Sequence, residues 1–416
     1  MKGILILFWN SQAMKKILIV VLALGLASCS GDDNKAAATT TPPVQTDVLT
    51  AQNVRSYLAD PNATAETVAL FYNLHNTQKS KFLIGQQDAF NAFYQDAAGS
   101  SDIKKATGSD PALLGSDFMF ITDNQNDGTP QNWFYQQEVI ITNHVKEAYN
   151  KGMVNTFSWH LREPYRGTSF YTSDMTAQEK ANAFASILPG GENHGYFKQK
   201  LDKVASVLNN LKGADGKLIP VIFRPFHEFD GNWFWWGAAY CTPDQYKQAW
   251  QFLVTYLRDT KGVHNILYAY SPDNSYTTSA KYLERYPGDA YVDVLGMDNY
   301  GDFSNGSTQG VTNAGNKIKM VSTLAQERVK ICAMTETGYR VTATTAPLAG
   351  FFSTNMYNAL TANDSKVAYV MFWYNDATGY YVPPSGQSNT QDFKDFASKS
   401  KSVLQHNIPA MYTITQ

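Results

Sequence analysis

Charge is scarce in this chain. Asp, Glu, Lys and Arg make up 17% of its 416 residues, and 36 acidic against 34 basic side chains leave a formal charge of −2. No block of Lys or Arg interrupts that balance, so the sequence indicates neither a nucleic acid nor an anionic membrane surface as a partner. Cysteine is scarcer still, at three residues, Cys29, Cys241 and Cys332. None forms a Cys-x-x-Cys pair, which removes zinc-ribbon and dithiol redox chemistry. The Gly-x-Ser-x-Gly elbow of serine hydrolases is missing. His227-Glu228 begins like a zinc-peptidase His-Glu-x-x-His, but the fourth position after His227 is Gly231, so the metal-binding face is incomplete. No apolar run reaches the ~20 residues of a membrane helix. Aromatics, by contrast, reach 13%. In an exported protein such rings often stack on sugar faces, although packing in the core is the commoner fate of any one of them.

Export is indicated at the N-terminus, where Lys15 and Lys16 precede an apolar run, Ile17 to Leu26, that ends in Leu26-Ala27-Ser28-Cys29. A basic start, a short apolar centre and a small-residue end make a secretory leader. The last four residues resemble a bacterial lipobox, which implies cleavage before Cys29, lipidation of its thiol and contact with the membrane through that anchor alone. Met14, directly before the basic pair, is an alternative start. From 29 to 50 the Ser-Gly-Asp-Asp-Asn and Ala/Thr/Pro composition has too little apolar surface to repay ordering and reads as a flexible tether. The expected organisation is a signal peptide over 1–28, the tether over 29–50 and one domain over 51–416. The acidic pair Asp32 and Asp33 resembles an outer-membrane surface signal, with cell surface and periplasmic face both left open. Export also permits a disulfide between Cys241 and Cys332, although their spacing does not require one.

Within 51–416 short apolar runs alternate with amphipathic stretches, and each run is followed by a cluster of Gly, Pro, Asn, Asp or His. This alternation predicts a parallel sheet with crossover helices. Eight strands are expected, near 82–85, 112–116, 153–158, 218–223, 265–270, 292–297, 329–334 and 367–372, and eight is the number that closes a single (β/α)8 TIM barrel. The clearest helix start is Thr242-Pro243-Asp244-Gln245, with a capping threonine, proline at the first helical position and a capping-box glutamine. Tyr246, Ala249, Trp250, Leu253 and Leu257 then recur at helical spacing up to Gly262. Comparable stripes run from Trp133 to Tyr149 and from Phe197 to Leu211.

Barrel enzymes carry their chemistry just beyond the C-terminal ends of the strands. There the sequence has Gln86, Gln87 and Asp88; Trp159 and His160; Arg224, His227 and Glu228; Asp298, Asn299 and Tyr300; Thr335-Glu336-Thr337-Gly338; and Trp373 and Tyr374. Only Glu228 and Glu336 are glutamates at strand ends among rings and histidine. Cleaving a glycosidic bond needs one carboxylic acid to protonate the leaving oxygen and one carboxylate to meet the developing oxocarbenium ion. Strands four and seven lie three steps apart around the ring, so their ends face each other across the mouth. Asp88, Asp117, Asp273 and Asp298 near the strand ends are read as fixing loops, with binding of hydroxyls as the alternative. His75, His144, His194, His264 and His406 are read as surface or helix contacts.

The block Arg-Pro-Phe-His-Glu-Phe-Asp-Gly-Asn-Trp-Phe-Trp-Trp-Gly at 224–237 closely resembles the signature of glycoside hydrolase family 26, and Thr-Glu-Thr-Gly at 335–338 is similar too. The resemblance implies a retaining endo-β-1,4-mannanase acting on mannan, galactomannan or glucomannan; a monomer without a cofactor or metal is expected. It makes Glu228 the acid/base and Glu336 the nucleophile. His160, His227 and Arg224 would contact substrate, Trp233 would form a sugar platform, Tyr300 would hydrogen-bond the nucleophile, and Trp373 would floor the central subsite. Of Trp233, Trp235 and Trp236, at least one of the latter two should pack inward. Tyr374 stands where some members carry an arginine that grips sugar farther from the cut. The segment Arg162-Glu163-Pro164-Tyr165-Arg166 reads as a solvated loop with an internal ion pair, with a part in subsite preference as the alternative. Two alternatives stay open: a β-1,3-1,4-glucanase or xylanase of the same family, and a non-catalytic glycan-binding lipoprotein.

Overall fold

The computed structural model describes residues 48–414. The leader, Cys29 and all of the tether up to residue 47 lie outside the described residues. Leu49, two residues before the expected domain start, is buried with Val54 and Leu58 in the core that closes the bottom of the barrel.

Eight strands form that barrel: β1 (Phe82–Gln87), β2 (Leu113–Asp117), β3 (Val154–Ser158), β4 (Val221–Arg224), β5 (Ile266–Tyr270), β6 (Val294–Asn299), β7 (Ile331–Thr337) and β8 (Tyr369–Phe372). Each pairs in parallel with the next, and β8 pairs with β1 from Leu83↔Tyr369 to Gln86↔Phe372, so the sheet closes on itself. The two-residue strand Ser402–Val403 adds to the start of β1.

Alternation along the strands explains the two cores. Leu83, Leu113, Val154, Ile222, Leu267, Val294, Ile331 and Tyr369 share one apolar cluster with Val68, Phe71 and Leu74 of the helix Ala65–Thr77. Their chain neighbours Ile84, Phe223, Tyr268, Leu295, Cys332 and Val370 belong to a second cluster with the surrounding helices. Side chains two residues apart share a face, so the inward face can be followed upward from the first cluster. It turns polar on the way: Thr156 stands two residues above Val154, Arg224 two above Ile222, and Asp298 and Thr335 four above Val294 and Ile331, all buried.

Some boundaries differ from the sequence expectation. Strand four starts at Val221, not Leu218, because Pro220 has no N–H for the ladder and Leu218 bridges Lys212 instead. Strand seven starts at Ile331, since Val329 turns at φ +55, and it runs on through Glu336 to Thr337. The helix Pro243–Thr255 carries the expected capping box, with Thr242 Oγ1 accepting from Gln245 N at 3.2 Å and the Gln245 side chain accepting from Thr242 N at 2.9 Å. It ends sooner than the apolar stripe suggested and passes into a π turn, Tyr256–Thr260, closed by Lys261 N donating to Tyr256 O at 2.9 Å. Cys241 and Cys332 are both buried and free.

Candidate active site

Glu228 sits on an irregular turn after β4 that runs directly into the Trp-rich loop. Phe226 and Glu228 have φ of +51 and +52, a left-handed backbone that costs a side-chain-bearing residue energy and needs external support. The tryptophans supply much of that support. Trp236 Nε1 donates to His227 O at 2.7 Å, Trp235 Nε1 donates to Leu161 O at 2.8 Å, and both rings are fully buried. Glu228 N donates to Ser271 O at 2.9 Å, fixing the turn to the end of β5. Trp233 behaves differently: it is 39% exposed, and its Nε1 donates to Glu228 Oε2 at 2.7 Å.

Glu336 reaches the same space through a bulge. Met297 pairs with Met334 but Asp298 pairs with Glu336, so Thr335 is an extra residue on β7. A bulge breaks strict alternation, which lets two consecutive residues serve the interior: Thr335 Oγ1 donates to Asp298 Oδ1 at 2.6 Å, while Glu336 bonds Arg224 Nη2. Tyr300 Oη donates to the other oxygen of Glu336 at 3.1 Å.

One oxygen each from Glu228, Asp298 and Glu336 lies within 4.8 Å of the others. Among the described residues these three are the one group of His, Cys, Asp and Glu spaced to hold a metal ion, but a protein cation already serves two of them. Arg224 Nη1 donates to both oxygens of Asp298, at 2.9 and 3.1 Å, and to Ser271 Oγ at 2.8 Å, while Nη2 takes Glu336. Arg224 has no exposed surface and does not line the cleft, so its expected contact with substrate is corrected. It holds the carboxylates of Asp298 and Glu336 instead.

The charges are therefore unequal. Burial pushes Glu228 well above the usual carboxylate range, Asp298, Glu336 and Asp273 push it further, and only the Trp233 indole opposes them. Burial and Asp298 raise Glu336 as well, to about 8, and they do so against the opposing pull of Arg224 and Tyr300, a guanidinium pull that Glu228 lacks. With three carboxyls and one guanidinium, the group without a cation retains the proton, and that group is Glu228.

The cleft above these groups has a volume of about 590 Å³ and is lined by His160, His227, Glu228, Trp233, Tyr300, Glu336 and Trp373. His160 Nδ1 bonds Asp117, and its backbone N donates to the same carboxylate at 3.2 Å. The His160 ring meets His227 edge-on at 4.7 Å. His227 is buried, and burial first, then His160 and Arg224, push its pKa well below 6.5, so it is neutral. Of the six expected contact residues, five line the cleft and Arg224 lies beneath it. Asp273, read from the sequence as a loop-fixing residue, lines it too, and so do Asn274, Tyr171, Phe234, Tyr339, Arg340 and Tyr381, which were not singled out. Asp298 and Asp117, read as loop-fixing residues, instead hold Arg224 and His160. Strand parity points to Asp298, four residues above Val294 on the inward face. No periodic signal marks Tyr339, Arg340 or Tyr381, which stand on loops. The 162–166 segment turns around fully buried Glu163, whose carboxylate accepts from the backbone N of Tyr165, Arg166 and Thr168.

The sequence model of glycosyl hydrolase family 26 matches residues 59–373. A curated relative from Bifidobacterium adolescentis, mannan endo-1,4-beta-mannosidase, is 36% identical over 362 residues, or 83% of this chain and 35% of that protein. A protein of the same name from Bacillus subtilis is 29% identical over 58% of this chain and 65% of its own length. The chain thus spans about a third of the first of these relatives and about two thirds of the second. Among solved structures, GH26C from Muricauda sp. MAR_2010_75 superposes with a TM-score of 0.87 at 56% identity, covering 88% of this chain and 98% of that one. A GH26 beta-mannanase from Bacteroides ovatus superposes with a TM-score of 0.73 at 32% identity, covering 84% and 98%.

Proposed function

Because the chain belongs to glycosyl hydrolase family 26, we propose that it is a retaining endo-β-1,4-mannanase with Glu228 as acid/base and Glu336 as nucleophile. The observation that carries this reading is the pair of carboxylate oxygens within 4.8 Å of each other at the mouth of the barrel. Retaining enzymes keep their carboxyl groups ~5 to 5.5 Å apart, whereas inverting enzymes need ~6.5 Å or more to fit a water between them.

The reaction follows from the unequal charges. Ionised Glu336 attacks the anomeric carbon while protonated Glu228 gives its proton to the glycosidic oxygen, so the leaving sugar departs as an alcohol and the remaining sugar is an ester of Glu336. Glu228, now a carboxylate, takes a proton from water, and the hydroxide oxygen displaces Glu336. Arg224 and Tyr300 hold the Glu336 carboxylate ready to attack and receive its charge when the ester is cleaved. Trp233 bonds the acid and is exposed enough to stack on the leaving sugar. Neutral His227 presents an uncharged ring to hydroxyls, beside His160, which Asp117 holds in place.

Mannan is favoured over glucan or xylan because both relatives described above are named mannan endo-1,4-beta-mannosidases. Retention of both glutamates with their supports favours an enzyme over a glycan-binding protein without activity. Export as an outer-membrane lipoprotein through Cys29 is part of the same proposal and rests on Leu26-Ala27-Ser28-Cys29. The purified domain should release a ladder of oligosaccharides from mannan, galactomannan or glucomannan and much less from lichenan or xylan. Glu336→Ala should reduce that release below detection while leaving a cooperatively folded protein. Preferential cleavage of lichenan or xylan, or a Glu336→Ala variant with wild-type rates, overturns the proposal.

A further inference from the structure

After Glu336 the chain turns at Gly338, φ +144, and enters a two-stranded ribbon in which Val341–Thr342 runs antiparallel to Gly379–Tyr380. The ribbon ties the loop after β7 to the loop after β8. Arg340, one residue before it, lines the cleft together with Tyr339 and Tyr381.

Its guanidinium is held tightly. Nη2 donates to both carboxylate oxygens of Asp376, at 2.7 and 2.5 Å, and to Thr378 Oγ1 at 2.9 Å. Nε is buried without a partner and lies against Gly379, where an added Cβ would come within 2.6 Å of it. Asp376 is itself fixed, accepting from Thr378 N, Thr378 Oγ1 and Gly379 N at 2.7, 2.8 and 2.9 Å. Nη1 is the remaining nitrogen. It takes no hydrogen-bond acceptor among the described residues, and the side chain is 38% exposed.

We propose that Arg340 is a specificity-determining residue whose Nη1 hydrogens bind hydroxyl oxygens of the sugar one unit beyond the attacked ring, on the side away from the leaving group. This rests on the glycosidase reading above. The acid Glu228 and its Trp233 come from the loop after β4, so the leaving sugar lies on that side. Glu336 and Trp373 come from β7 and the end of β8, and the same two loops carry Arg340. A chain held at its attacked ring by Glu336 and Trp373 therefore places its next unit against the ribbon.

The pairing also selects the ligand's charge. Asp376 cancels the guanidinium charge while leaving two N–H donors free, so the site suits a neutral hexose and gives no net attraction to a uronic acid. Its geometry is set before substrate arrives, which lowers the ordering cost of binding.

The test compares one aryl β-mannoside with the aryl β-mannobioside of the same leaving group. The second substrate adds only the sugar that Arg340 is assigned to hold. In Arg340→Ala the ratio of kcat/KM, bioside over monoside, should fall about tenfold or more, the usual loss for a hydrogen bond from a charged group. The ratio is taken from one preparation, so the fraction of protein correctly folded cancels. Arg340→Lys should recover only part of it, because a single ammonium cannot hold Asp376 and present a second nitrogen. An unchanged ratio in Arg340→Ala, or full recovery in Arg340→Lys, overturns the assignment. If the wild type cleaves neither mannoside, the mannan reading fails by itself, and the same ratio is read on the aryl glucoside and cellobioside or xyloside and xylobioside pairs. A wild type that cleaves none of these pairs overturns both.

Discussion

At the scale of single residues, the chemistry depends on which carboxyl has a cation beside it. Arg224 is shared between Asp298 and Glu336, and Glu228 has only the Trp233 indole. Activity should therefore follow a bell-shaped pH profile, lost at low pH as Glu336 takes a proton and at high pH as Glu228 releases one. The same shift bears on stability. Glu228 has a folded pKa above its unfolded value, so its contribution is fully present below the unfolded carboxyl range of ~4.3 and is lost as pH rises through the folded pKa. Glu228→Gln removes the titration. Its thermal midpoint should exceed wild type at neutral and higher pH, with the gap closing toward pH 4, while turnover of polymer falls by about 10² to 10⁴. A midpoint below wild type at pH 8 would count against the uncompensated acid. Glu336→Gln should bring no such gain, because it takes a partner from Arg224.

At the scale of elements, one segment joins positioning and stability through different residues. The run from Phe226 to Trp236 carries Glu228 on a left-handed backbone held by indole N–H groups, and the helix Pro243–Thr255 follows with its own cap. The two are separable. Thr242→Ala removes the cap and should cost about 1 kcal/mol in denaturant unfolding with kcat unchanged. Trp236→Phe removes the bond to His227 O and leaves part of a buried volume empty. It should cost about 1 to 3 kcal/mol and also lower kcat, since the turn that aims Glu228 loses a support. Equal kcat in the two variants would show that the indole bond does not position the acid. Strand seven gives the second lesson at this scale. Its apolar run from Ile331 to Met334 was legible as a strand, but the bulge at Thr335, which brings Glu336 inward, has no sequence signal comparable to alternation. The 338–342 and 376–381 loops are polar and irregular for the same reason: ribbon pairing and the Asp376–Arg340 bond hold them, not local propensity.

At the scale of the whole molecule, the working charges are buried and the surface is nearly neutral, with a formal charge of −2 over the full chain. Attraction of a neutral polysaccharide then gains nothing from long-range fields, and internal ion pairs are little screened by salt. Raising NaCl from about 0.05 to 0.5 M should change kcat/KM on soluble galactomannan by less than about twofold. A steep decline would place a surface charge in substrate capture. Reductant should likewise leave the thermal midpoint unmoved, because Cys241 and Cys332 are free.

Much of this molecule was determined along the chain alone. Alternating apolar runs specify eight strands, turn residues mark their ends, and two glutamates stand at or beside those ends, because burial and hydrogen bonding act on neighbours a few residues apart. Only closure of the barrel decided how the two glutamates differ. Arg224, Asp298 and Glu336 come from three strands and Glu228 from a loop, and the strength of a charge interaction depends on distance through space in a medium that screens poorly. Separation in sequence carries no information about that distance, so the proton's place on Glu228, the demotion of Arg224 from substrate contact to support, and the fixed guanidinium of Arg340 all belong to the tertiary structure.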